Sequence, residues 1–211
     1  MSSRSDAARR TASREAAVRD GNELRWPGAS AKFALFGEVL WVGVLCCVAS
    51  LGVVTVPAAL AAGSAHLHRY LRAEDSTVRL FVADFTAALR RGWIVGLALV
   101  VVIGVLLLDI TVANSQLLPG WQGILAVGVV LLVAALVALA GTTAQWPGSR
   151  SWRRAVTAWL QDVRRDPAGV LWLLAAVVLA GMVTWQLPPL VIPGVGCLVF
   201  AALATSVRER R

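Results

Sequence analysis

The chain has 211 residues, of which 58% are hydrophobic and 15% charged, with a net charge of +8 and a mean hydropathy of +0.71. Soluble domains carry about 25% charged residues, so this composition excludes an ordinary water-soluble globule and points to long segments solvated by lipid. The basic residues are confined to Met1–Lys32, Arg69–Arg91, Arg150–Arg165 and Arg208–Arg211, which makes them a signal of membrane topology and argues against nucleic acid as a partner.

Residues 1–32 form a polar tail in which seven bases and four acids interleave. The tail lacks an apolar secretory core and reads as a solvated cytoplasmic segment. From Phe33 the chain reads as a single transmembrane helical domain, residues 33–211. The first apolar run, Phe33–Val54, matches the ~20 residues needed to cross a bilayer. A tight reversal, Gly52-Val53-Val54-Thr55-Val56-Pro57, leads into a short second span, Val56–Leu71. Pro57 suits a first helical turn, where its missing N–H has no intrahelical partner to lose. Ala58, Ala59, Ala62 and Gly63 place small residues on this helix where a neighbouring backbone can approach closely.

In Ser76–Arg91, apolar Val78, Phe81, Val82, Phe85, Ala88 and Leu89 recur at helical spacing, with Ser76 a candidate cap. This predicts an amphipathic helix lying in the cytoplasmic interface. Spans three and four follow at about 93–113 and 121–144, joined by a turn at Asn114–Gly120. Trp146-Pro147-Gly148-Ser149 reads as a break. A second amphipathic helix, about 151–165, carries Trp152, Val156, Trp159, Leu160 and Val163 on its apolar stripe. Spans five and six fall at about 168–185 and 191–207, the last interrupted by Pro193-Gly194 and Gly196. The fold class expected is therefore all-α: six transmembrane helices in three hairpins plus two interfacial helices. Trp93, Trp121, Trp152, Trp159, Arg90, Arg91, Arg164 and Arg165 are expected to anchor it at the membrane surfaces. Six crossings put every basic segment and both termini on the cytoplasmic side. The order of amphipathic helix, Arg-Arg pair, outgoing span, proline-bearing turn and returning span occurs twice, which makes a weak parallel repeat.

Glu38-Val-Leu-Trp41, Leu51-Gly-Val-Val-Thr55-Val-Pro57, Asp84-Phe85 and Ala88-Leu-Arg90-Arg91 occur in the order seen in the YesL-like family of bacterial integral membrane proteins, a domain of unknown function. The chain resembles that family from about Phe33 onward. It departs from it in carrying Glu38 where a neutral residue is expected and in placing proline after the Val-Thr pair. The resemblance implies a multi-span protein of the bacterial inner membrane, associated with carbohydrate uptake and glycan degradation.

Motifs for chemistry are few. The chain has no Gly-rich phosphate loop, nucleophile elbow or His-Glu-x-x-His helix. His66 and His68 are two residues apart and point to different helix faces, so they read as interfacial residues rather than metal ligands. Cys46, Cys47 and Cys197 fall inside apolar runs and read as packing residues. No cofactor, metal or catalytic residue is expected, and the chain is read as not an enzyme. The polar positions singled out for function are Glu38, Thr55, Asp84 and Asp109; of these, Glu38 and Asp109 lie within spans, where charged groups are costly. The function expected is an accessory or regulatory partner of a carbohydrate ABC uptake system, contacting the bilayer and the transporter's permease. The alternative is a small membrane transporter for a sugar or related solute. The small-residue helix faces also admit a homo-oligomer.

Overall fold

The computed structural model describes residues 27–115 and 120–208, with side chains for residues 33–115 and 120–206. The tail through residue 26, the centre of the Asn114–Gly120 turn and residues 209–211 lie outside the described residues. Every described element is helical: α1 (Pro27–Ala49), α2 (Val56–Leu71), α3 (Val78–Asn114), α4 (Trp121–Ser149), α5 (Trp152–Arg165), α6 (Pro167–Gln186) and α7 (Val191–Arg208), with 3-10 turns at Val53–Thr55 and Pro188–Leu190. The chain divides into two units, Met1–Glu38 and Val39–Arg211. The second holds the helix bundle.

Four stretches have the length and hydropathy to cross a bilayer: Val78–Asn114, Trp121–Ser149, Pro167–Gln186 and Pro188–Ser206. Their outer faces expose rows of large apolar side chains, among them Val101, Val105, Leu108, Val130, Leu171 and Leu179. In water such surface would drive aggregation. Facing lipid it costs nothing, and the chain is a membrane protein. The apolar helix Phe33–Ala49 is shorter.

Several boundaries differ from those expected. Helix α1 begins at Pro27, inside the segment read as tail, since proline is pre-organised for a first helical turn. It ends at Ala49 rather than Val54. Thr55 closes the reversal by donating its hydroxyl to the carbonyls of Ala49 (2.6 Å) and Gly52. The amphipathic stretch near 76–91 and the span at 93–113 are one continuous helix of 37 residues. At ~1.5 Å per residue it is about 55 Å long, well beyond a ~30 Å hydrocarbon core. Its N-cap is Thr77, not Ser76, and no side-chain hydrogen bond caps it.

Helix α4 runs through Pro147 to Ser149, where a break is expected. Pro147 lacks the N–H that would reach the Thr143 carbonyl, yet the helix continues past it. Arg150, in the left-handed conformation at φ 48°, ends the helix instead and gives its N–H to the Trp146 carbonyl at 2.8 Å. Helix α7 is likewise unbroken: Pro193 falls in its first turn, where amide donors have no intrahelical partner.

Close approaches set the packing. A Cβ at Gly43 would overlap the Ile192 carbonyl of α7, and one at Gly196 would overlap the Val39 carbonyl of α1. The two backbones therefore interlock through reciprocal glycines. Helix α2 packs on α3 and α4. Its extent along α3 is fixed at two points: Arg69 meets Asp84, and the Val54 carbonyl lies against Gly96. The reversal thus sits about 7 Å along α3 from Arg91 and about 27 Å short of Asn114.

Candidate functional site

Two regions of the bundle stand out, one charged and one apolar. The charged one is built where α2 ends, α3 begins and α4 ends. Asp84 has a side chain only 5% exposed, and ionised carboxylates are tolerated in such places only when paired. Arg69 Nη1 donates to its Oδ2 at 2.6 Å and Arg150 Nη1 to its Oδ1 at 2.9 Å. One acid thereby ties together three elements. The Arg150 guanidinium also stands over the Trp146 ring, 5.6 Å from its centroid, within cation–π range. Arg91 Nη1 donates to the Arg150 carbonyl at 3.4 Å. Below lies an apolar cluster of Ala58, Ala61, Ala65, Ala88, Trp146, Trp152 and Ala155.

Helix α5 closes this end. Trp152 Nε1 donates to the Ala88 carbonyl at 3.1 Å, and its ring occupies the space a side chain at Gly92 would need. Trp159 sits in the same way over Gly141 of α4. Both rings are buried by protein, as is Ala155 between them. Gln145 Nε2 donates to Asp162, tying α4 to α5. Asp166 caps α6, accepting from the Gly169 N–H at 3.0 Å.

The apolar region is a crevice of about 910 Å³. It is walled by Leu60 of α2, Leu136, Leu139 and Ala140 of α4, Val177, Ala180 and Gly181 of α6, and Val195 and Leu198 of α7. Trp185, 87% exposed, stands at its edge. Among its lining residues only Cys47, Ser50 and Thr184 bring side-chain heteroatoms besides the Trp185 indole. Its size falls in the range of small-molecule sites, ~300–1,000 Å³, but such sites usually add several convergent polar groups.

The residues singled out from sequence fare differently. Asp84 is at the centre of the ion-pair knot. Thr55 is committed to closing the reversal. Asp109 is exposed on α3, and the neighbouring Thr111 donates to Leu107, its own i−4 carbonyl. Glu38 is half-buried on α1. These four do not converge on one site.

Ala58, Ala59, Ala62 and Gly63 are all buried. A Cβ at Gly63 would meet Cys46 Sγ at 2.5 Å, so here the small-residue face does allow α2 to approach α1. Trp93 is exposed and Trp121 half-buried, whereas Trp152 and Trp159 are packed against protein and their rings do not face lipid. Arg90, Arg91, Arg164 and Arg165 are all exposed at the surface. His66, expected near headgroups, is fully buried with its ring edge-on to Phe81 at 6.3 Å.

Sequence reasoning missed Arg69 and Arg150 as partners of Asp84. The signal that could have found them is that Asp84 occupies the apolar face of its helix, where a carboxylate needs a cation. No group of three or more His, Cys, Asp or Glu able to hold a metal occurs among the described residues. Comparison with known protein families, curated proteins and solved structures returns no match.

Proposed function

We propose that this chain is a non-enzymatic protein of the bacterial cytoplasmic membrane that acts by docking onto another membrane protein. Following its resemblance to the YesL-like family, the partner is the permease of a carbohydrate ABC uptake system. The observation that supports this reading is the apolar crevice between α2, α4, α6 and α7. A partner's transmembrane helix is apolar along its length and suits such a lining. A sugar, with a hydroxyl on most carbons, does not, because each buried hydroxyl left unpaired is costly. The buried carboxylate Asp84 is engaged by Arg69 and Arg150, which weighs against a polar substrate path through it.

In this reading all arginine-bearing segments and both termini lie in the cytoplasm. The helical domain is built as three hairpins, of which α3–α4 and α6–α7 cross the bilayer, while α1–α2 enters and returns without reaching the far side. A hairpin that enters and returns keeps the arginines on one side at any depth.

The test is purification of the tagged chain in mild detergent from cells expressing a carbohydrate importer, with quantitative mass spectrometry. Enrichment of the permease over an unrelated membrane-protein control is expected. Equal recovery in both would reject the proposal.

A further inference from the structure

The charged end of the bundle holds more hydrogen-bond donors than acceptors. Arg69 gives Nη1 to Asp84, yet its Nε and Nη2 are buried without a hydrogen-bond partner among the described residues. The same holds for Trp146 Nε1 and Ser64 Oγ, on the two helices that enclose the alanine-lined contact below Asp84. A guanidinium carries five N–H donors and no acceptor. Asp84 therefore uses only a small part of what Arg69 and Arg150 offer.

The charge balance agrees. Residues 69–91 contain five arginines and three acids, and residues 150–154 contain three arginines and no acid. Of the three acids, Asp84 is already paired, and Glu74 and Asp75 lie exposed in the loop between α2 and α3. Arg150 covers the knot from outside. Its side chain is 54% exposed, and its left-handed backbone, uncommon for a residue with a Cβ, carries it off the end of α4 and over the Trp146 ring.

We propose that this arginine knot binds a phosphate-bearing anion. Arg150 and Arg91 reach it from the surface, Arg69 reaches it from within, and Asp84 holds the guanidinium groups in place. Phosphate supplies acceptor oxygens only, and its geometry matches the guanidinium fork in a way that chloride cannot. The anion comes either from a phospholipid headgroup or from the aqueous phase.

The experiment uses the purified full chain in a neutral detergent. Thermal unfolding and native mass spectrometry follow separate additions of phosphatidylglycerol, phosphatidylcholine, sodium phosphate, and sodium chloride at matched ionic strength. Stabilisation by phosphatidylglycerol but not sodium phosphate supports the site and identifies a headgroup. Stabilisation by sodium phosphate beyond sodium chloride supports it as a site for free phosphate.

Arg150→Gln is expected to weaken whichever effect is seen by about tenfold in apparent affinity, and Arg165→Gln, at the other end of α5, to leave it unchanged. Arg150 is half exposed and Asp84 keeps Arg69, so the variant retains its fold, which circular dichroism verifies. The proposal is overturned if no phosphate source acts beyond sodium chloride, if Arg150→Gln binds like the parent, or if Arg165→Gln weakens binding equally.

Discussion

Around Asp84, three chain segments meet on one carboxylate, and a tryptophan sits in a glycine socket. Around Gly181, four helices stand apart and leave a crevice lined almost wholly by aliphatic side chains. The first arrangement is what a fold needs at a helix junction. Its buried carboxylate is paired twice, its indole Trp152 has a carbonyl partner, and its glycines are contact points. The second arrangement forgoes packing enthalpy that closing the gap would supply, and it is the region free to accept another apolar body. On the proposed reading one end of the bundle supplies stability and the crevice docks the partner, which can be probed by substitutions that should affect only one of them.

The largest effect is expected at Asp84. Replacing it with alanine leaves Arg69 buried without its counter-charge and should cost about 3–5 kcal/mol, read as a marked drop in the midpoint of thermal unfolding in detergent. An unchanged midpoint would mean that the knot is not structural.

Next comes Gly141→Leu, which forces Trp159 off its seat. About 1–3 kcal/mol is expected for such overpacking, with increased proteolysis between α5 and α6 as a second readout. Trp152→Phe keeps the ring in its socket but loses the bond to the Ala88 carbonyl. About 1 kcal/mol should follow, less than for Gly141→Leu.

The smallest effect on stability belongs to the crevice. A Cβ at Gly181 meets no atom within 4 Å, so Gly181→Leu should change stability by less than about 0.5 kcal/mol while abolishing permease recovery. Loss of stability together with binding would erase the distinction between the two regions.

How much of this was readable in advance depends on the residue. Gly52 and Pro57, and the prolines of Gln186–Leu190, marked real reversals, and hydropathy located the four helices long and apolar enough to cross. Gly92 and Pro147 did not end helices. Glycine in a helix costs only about 1 kcal/mol, and the Trp152 contact that requires it comes from a distant part of the sequence. Pro147 disfavours a helical Trp146 before it, but Trp146 is buried in the alanine-lined cluster, and that packing holds the turn helical. At the corresponding point of the second half, Asp166-Pro167 does separate α5 from α6, because proline disfavours helical backbone in the residue before it. So the weak repeat is continuous in one copy and hinged in the other.

Periodicity showed correctly that Trp152 and Trp159 share a stripe. It could not show whether lipid or protein covers that stripe, since both reward the same apolar side chains. For the same reason, Arg69 and Arg150 were indistinguishable from arginines that simply face headgroups. Their pairing with Asp84 is set by how three helices meet.

The most direct test of the central claim is site-specific photocrosslinking in intact membranes. A photoreactive residue at Thr184, inside the crevice, should form an adduct with the integral permease subunit of a carbohydrate importer. The same residue at Leu171, on the exposed face of α6, should not. An identical adduct pattern at the two positions, or crosslinking at Thr184 to lipid alone, would contradict the account.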